Sequence, residues 1–344
     1  MLYAKYAFIS AYLKGEEPKV VTPDHIDRIL KSSSIQEALE IIRETDVGSY
    51  LEELTVKTFD DLDEYLWRYF AQRISYVESF KLLPKDIQKL VRAYIVKYDV
   101  LNIKAALQII STGKKIRMIP VGIIHNNGLL DGLSTTENAG DIIELLIKCK
   151  LGNYVPALEG YKVEGGAKSK LLAESRLDSE YYKSMLSMAR RIKDGSVLSK
   201  ALGLIIDLTN LQIASRAIIE GVGPDAAECI IPGGYMITDK AIRELLSFKL
   251  TDMPQRLEHP QYRHVAEEVL SSYENTKSIT SVEEIIDKHK FRLLKEILSP
   301  RVLSPLVMTW YLILKEVEVR NLRLVLKAIA DGAATEKLKE YLVL

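Results

Sequence analysis

Tyr98-Asp99-Val100-Leu101-Asn102-Ile103-Lys104 lies inside a longer segment, 86–107, in which Ile87, Leu90, Val91, Tyr94, Ile95, Tyr98, Leu101 and Ala105 recur in steps of three and four. Steps of that size mark one face of a helix. Asp99 and Asn102 are three apart, so they are neighbours on that helix. The pattern returns in Ile206-Asp207-Leu208-Thr209-Asn210-Leu211-Gln212 and in Val317-Glu318-Val319-Arg320-Asn321-Leu322-Arg323. Each copy reads as an acid, two residues, an asparagine, an aliphatic residue and a long polar one. The asparagines stand at positions 102, 210 and 321, almost evenly spaced. Solenoid repeats run at ~20 to 50 residues, so this much longer period is that of a small domain. Three lobes are expected, at 1–115, 116–225 and 226–344. Weaker echoes lie at Leu62-Asp63-Glu64-Tyr65, at Leu177-Asp178-Ser179-Glu180-Tyr181-Tyr182 and at Ile286-Asp287-Lys288-His289.

The rest of the chain reads as helix broken by proline and glycine. Thr22-Pro23-Asp24 places a hydroxyl cap before a proline at the first helical position. Ser134-Thr135-Thr136-Glu137 and Ser281-Val282-Glu283-Glu284 both fit a capping box. Ile119-Pro120-Val121-Gly122-Ile123 and Ile231-Pro232-Gly233-Gly234-Tyr235 look alike and read as joints, because proline lacks a donor and glycine permits unusual backbone angles. New helices are expected from about Asn138 and about Asp239. Residues 159–170, rich in Gly and Lys, read as an exposed loop. Alternating strand-like patterns are short and scarce, so the fold class is all-α.

Asn and Asp disfavour helix interiors because their side chains compete for the backbone. Finding the pair three times in apolar helices implies a task that apolar residues cannot perform. One reading is a hydrogen-bonded pair that fixes how helices register within or between lobes. The other is three equivalent ligand sites. Polar groups in helical cores most often fix packing, which favours the first reading for Asp99, Asn102, Asp207, Asn210, Glu318 and Asn321.

Composition narrows the function. The chain has 344 residues, with 47 basic and 47 acidic side chains and a formal net charge of zero. Nucleic-acid binders draw affinity from phosphate contacts and carry a basic excess, so no nucleic-acid partner is expected. Cys149 and Cys229 are far apart in sequence, which predicts free thiols and a reducing cytosolic compartment. Met1-Leu2-Tyr3-Ala4-Lys5 shows no basic region followed by an apolar core, so no secretory signal is expected. The longest uncharged apolar stretch, 302–314, contains Pro305. It falls short of the roughly 20 residues that span a bilayer.

Catalytic signatures are thin. Gly166-Ala167-Lys168-Ser169 has an alanine where a phosphate-binding loop needs Gly next to Lys. Gly221-Val222-Gly223-Pro224 lacks the third glycine of a dinucleotide fingerprint. His259 and His264 are five apart, off one helical face, and no metal-ligand pattern accompanies them. No catalytic, cofactor or metal site is expected.

The chain resembles the C subunit of the archaeal-type rotary ATPases, the counterpart of the d subunit in the eukaryotic V-type enzymes. The resemblance covers the whole chain and is most specific at Glu316-Val317-Glu318-Val319-Arg320-Asn321-Leu322-Arg323; the segment 98–106 and the order of the three repeats also match. Tyr6–Ala11 lacks the basic residues that members often carry in their first helix. The resemblance implies three pseudo-symmetric helical lobes arranged as an open funnel on the cytoplasmic face of the proteolipid ring. It also implies a non-catalytic adaptor that receives the central stalk and transmits torque. Its partners would be the proteolipid ring and the central-stalk subunits, with one copy per complex and membrane contact only through the ring. A helical scaffold of an unrelated complex, or an enzyme with a site assembled across lobes, are the alternatives that the three-lobed repeat alone permits.

Overall fold

The computed structural model describes residues 2–80, 85–333 and 338–343. Met1, at the head of the expected signal-free N-terminus, lies outside them. Among the described residues the chain forms helices and no strand. In chain order these are α1 (Leu2–Glu16), α2 (Pro23–Ile29), α3 (Ile35–Ile41), α4 (Asp46–Glu52), α5 (Phe59–Glu78) and α6 (Lys85–Thr112). There follow α7 (Ile123–Asn126), α8 (Leu130–Ser134), α9 (Ala139–Lys148), α10 (Val155–Leu158), α11 (Gly166–Ala189) and α12 (Gly195–Ile219). The last are α13 (Asp239–Leu245), α14 (Met253–Arg256), α15 (Pro260–Thr276), α16 (Ile279–Leu298) and α17 (Leu306–Ala330), with short 3-10 turns between them.

The helices pack as two compact units. One joins Met1–Val91 to Leu294–Leu344, and the other is Arg92–Leu293. The division falls inside α6 and α16. The reason lies in α5 and α17. Leu62, Leu66, Tyr69, Phe70 and Val77 make the buried face of α5, and Met308, Leu312, Val319, Leu322 and Leu326 are buried on α17. The two helices lie against each other, and α1, α2 and α3 also rest on α17. The N-terminal helices therefore bury their apolar faces against the last long helix.

In this first unit four helices begin at a hydroxyl whose oxygen accepts a backbone N–H. Thr22, Ser34, Thr45 and Thr58 cap α2 to α5 in turn. Such a cap contributes about 1 kcal/mol by satisfying an orphan donor. The His25 and Asp61 side chains accept the cap residues' own N–H groups, completing two capping boxes. The expected cap at Thr22 is therefore present.

The second unit is organised by the antiparallel neighbours α11 and α12. Asp194 adopts a left-handed conformation at their turn, and Gly195 follows so closely that a Cβ there would meet the Ala189 carbonyl at 1.7 Å. α12 is apolar enough and long enough to cross a membrane, but 78% of its most apolar window is buried inside the protein. Lys200, Asp207 and Arg216 interrupt its uncharged runs. A helix apolar on all sides is a core helix when protein surrounds it.

Three local expectations fail. Ser134 ends α8, with its hydroxyl donating to the Asp131 carbonyl, and α9 is capped by Asn138 with Asp141 reciprocating. Ser281 lies inside α16 and donates to the Ser278 carbonyl, because that helix starts two residues earlier. The loop expected at 159–170 is exposed, but α11 begins inside it at Gly166, with the Lys162 N–H held by the Ser169 hydroxyl. On α6 the expected buried face holds through Tyr98, after which burial passes to Asp99, Asn102, Ile103 and Ala106 and leaves Leu101 37% exposed. Both proline-glycine joints are irregular backbone, as their composition requires, and helices follow them at Ile123 and Asp239. Cys149 and Cys229 are free and buried.

Candidate functional site

The six repeat residues are all buried, and each bonds to backbone outside its own helix. In the second unit, the Asn102 side-chain oxygen accepts the Ile119 N–H at 2.7 Å and its amide donates to the Ile119 carbonyl at 2.9 Å. Asn210 does the same to Ile231, at 2.8 Å in both directions. The primary amide thus satisfies both polar groups of one peptide residue, as a neighbouring strand would. Without such a partner those groups would cost about 1–3 kcal/mol each where buried. The two joints read from sequence are the segments so held.

The acids hold the chain a few residues further on. Asp99 accepts the N–H groups of Ile123 and Ile124, both at 2.8 Å, one on each carboxylate oxygen. Asp207 accepts from Met236 at 2.8 Å, more loosely from Tyr235 and Ile237, and from the Tyr262 hydroxyl at 2.8 Å. Backbone must come very close for this. A Cβ on Gly122 would lie 2.4 Å from the Asp99 Oδ1, and one on Gly234 would lie 2.2 Å from the Asp207 Oδ1. Gly122 also has φ +114, a conformation that L side chains rarely adopt. Burial pushes the Asp99 carboxyl up to about 6, against the pull of its two N–H donors. Asp207 is shifted up for the same reason, opposed by its backbone and Tyr262 donors.

The third copy stands in the first unit and is built on α17. Asn321 accepts the Val343 N–H at 3.0 Å and donates to the Val343 carbonyl at 2.6 Å. Glu318 accepts the Val21 N–H at 2.7 Å on one oxygen and the Tyr69 hydroxyl at 3.3 Å on the other. Here the acid is not alone. The fully buried Lys315 ammonium lies 3.2 Å from Glu318, 3.5 Å from Asp46 and 2.8 Å from the Tyr69 hydroxyl. Arg73 reaches the same Asp46 oxygen at 3.4 Å and stacks over the Tyr69 and Tyr76 rings. Burial, with the Glu318 and Asp46 carboxylates behind it, pushes the Tyr69 phenol well above its ordinary range. Nothing in the sequence pattern pointed to Lys315, Asp46 or Arg73, since Asp46 and Lys315 are 269 residues apart.

The long polar residue that ends each motif also has a use. Lys104 pairs with Asp178 at 2.5 Å, Arg323 pairs with Asp63, and Gln212 accepts from Lys290 at 3.1 Å, Lys290 in turn lying 3.6 Å from Asp287. Asp63, Asp178 and Asp287 are the acids of the three weak echoes. The pattern and its echoes are two sides of one set of contacts, which sequence spacing alone did not connect.

Asp99 and Asn102 share a face, as their spacing requires, but they do not bond to each other: Asn102 holds Ile119 and Asp99 holds the first two N–H groups of α7, a few residues further along the same segment. Asp207 with Asn210 and Glu318 with Asn321 likewise hold backbone, and their acids also take one phenol each from another helix, Tyr262 on α15 and Tyr69 on α5. The amides are spent on main chain in both directions, so these sites clamp the chain. Among the described residues no group of three or more His, Cys, Asp or Glu gathers as a metal would require.

The sequence matches the ATP synthase (C/AC39) subunit family over residues 9–341. It is similar to the C subunit of the A-type ATP synthase of Pyrococcus abyssi, with 27% identity over 349 residues, 98% of this chain and 90% of that relative. The corresponding protein of Methanocaldococcus jannaschii is 22% identical over 351 residues, 99% of this chain and 86% of the relative. That of Thermococcus kodakarensis is 25% identical over 352 residues, covering 98% and 90%.

Proposed function

Because the chain belongs to the ATP synthase (C/AC39) subunit family, we propose that it seats the central stalk of an A-type rotary ATPase on the cytoplasmic face of the proteolipid ring and carries torque between them. It is a structural, non-catalytic subunit of that membrane-associated complex. The match across nearly the whole chain carries this reading, and the clamps support it. Lobes that bear torque must not slip, and each clamp ties a long helix to the irregular chain beside it through buried bonds whose loss strands polar groups. The open funnel of three lobes belongs to the same proposal, with one copy per complex and no cofactor or nucleic acid.

Photo-crosslinking in membranes that hold the assembled complex tests it. Probes placed at exposed residues of this chain should link to the ring and to the central stalk. Purification of the complete ring and stalk without this chain, or crosslinks confined to the peripheral parts of the head, would overturn the assignment.

A further inference from the structure

The third clamp differs from the other two in how the chain reaches it. In the first two, one continuous segment supplies both the residue that asparagine grips and those that the acid grips. Ile119 precedes Ile123 by four positions, and Ile231 precedes Tyr235 to Ile237 by four to six. In the third, asparagine grips Val343 near the C-terminal end and the acid grips Val21 near the N-terminal one. The chain beyond the acid-held residue is nevertheless alike. Ile237 is followed by Thr238, whose hydroxyl caps α13, and Val21 by Thr22, whose hydroxyl caps α2. The asparagine offsets agree as well: Val343 lies 22 residues after Asn321, and Ile231 lies 21 after Asn210.

We infer that the third repeat is split between the two ends of the chain: the C-terminal tail and residues 20–22 are the two halves of one loop on α17, and the sequence is a circular order of three repeats cut inside that loop. The first repeat then runs from α6 to α11, the second from α12 to α16, and the third from α17 through the tail to α2–α5. α1 stands outside this order and precedes the cut. Glu318 and Asn321 sit one turn apart on α17, roughly 5–6 Å between Cβ atoms, so the backbone they hold is close together. The inference builds on the three-repeat reading and not on attachment to a ring. It has a consequence for folding. The first two repeats can close in the order in which they are made, but α2–α5 lack their clamp until α17 and the tail exist.

Circular permutation tests this without the ring. New ends are opened between Glu159 and Gly160, both exposed, and Leu344 is joined to Val20 through one to three glycines, which sets Val21 four to six positions after Val343. This chain lacks residues 1–19, so its reference is the linear chain with the same deletion. The joined chain should melt at or above that reference, and Asn321→Leu should lower both midpoints. A joined chain that melts below the reference, while a permutant keeping α1 on a long, flexible Gly/Ser linker folds, would refute the split loop. Where neither permutant folds, the native chain decides. With Val20→Cys and Leu344→Cys in place, a short bifunctional maleimide, one that bridges no more than a few residues of extended chain, should crosslink most of the protein. A yield no higher than in denaturant would refute the inference. The free cysteines Cys149 and Cys229 are buried in the folded chain and are replaced by serine in both samples, so that they do not compete in denaturant.

Discussion

The clamps of the second unit and the clamp of the first solve one problem by opposite means. In the second unit a lone buried carboxylate faces only backbone donors and, at Asp207, one phenol. Glycine lets the main chain approach, and the acid bears a desolvation penalty that its donors only partly offset, so its pKa is raised. In the first unit the held residue is Val21, with no glycine beside it, and the acid is Glu318, one methylene longer. Lys315 and Arg73 supply positive charge, and Asp46 supplies a second acid. The longer acid reaches the Val21 N–H without a glycine at the contact, and the added cations meet the charges that gather there. A clamp whose two segments are continuous in the chain is positioned by covalent structure, whereas Val21 and Val343 must be brought to α17 by packing and charge.

Replacing Lys315 should break that difference most strongly. Lys315→Met leaves Glu318 and Asp46 without their shared cation in a buried site. The expected loss is about 3–5 kcal/mol, the scale for removing one partner of a buried ion pair. Chemical denaturation measures it, and Lys315→Met with Glu318→Gln should recover part of the loss. Equal stability of the single variant and the parent would mean that the third clamp, like the others, stands without its cations. Next come the asparagines. Asn210→Leu and Asn321→Leu each strand the N–H and carbonyl of a buried residue, Ile231 or Val343, at roughly 1–3 kcal/mol for each group. Asn102→Leu should cost less, because Ile119 is only half-buried and water can reach it. If the three losses came out equal, backbone burial would not be what sets them.

Much of this was legible in the sequence, and what was hidden has physical reasons. The all-α class followed from apolar spacing, with the cap at Thr22 in agreement, and the repeat from three acids and three asparagines at fixed distance. The joints at Ile119-Pro120 and Ile231-Pro232 were visible as breaks, but their role as the gripped segments was not, since 17 and 21 residues separate them from their asparagines. Gly122 and Gly234 were the available signal: a glycine behind each joint marks where backbone must pass close to a side chain. The grouping of the N-terminal helices with α17 was not legible from a linear repeat, because that count assumes each lobe to be one stretch of chain. Lys315, Asp46 and Arg73 belong to no pattern; they meet only through tertiary packing.

The glycines sharpen the comparison from the other side. Gly122→Ala must move Asp99 off its donors and adopt an unfavourable φ, for which about 1–3 kcal/mol is expected. Gly234→Ala presents the same clash without the positive φ and should cost less. In the first unit Val21→Ala should leave the Glu318 bond intact, since the acid there holds an N–H that any residue but proline supplies. Thermal midpoints rank the three, and a Val21→Ala loss equal to that of Gly122→Ala would show that side-chain packing, not close backbone approach, governs both.

The smallest effect is a slope with pH. The ordinary carboxyl value is 3.8 and Asp99 sits at about 6 in the folded chain, so the folded state binds this proton more tightly than the unfolded one. A raised acid contributes stability that is fully present below about pH 4 and is lost as pH climbs through about 6, by at most about 1.4 kcal/mol per pH unit for one proton. Asp99→Asn cannot titrate, and its amide can accept only one of the two N–H groups while its own N–H₂ faces the other. The variant should therefore be less stable than the parent throughout. Its deficit should be largest near pH 4 and should narrow toward pH 7, because only the parent declines over that range. Unfolding free energies of the two proteins from pH 4 to 7 decide the matter. A deficit that widened with rising pH would mean that the two backbone donors outweigh burial at Asp99, and that this clamp holds its charge as securely as the cation-backed one on α17.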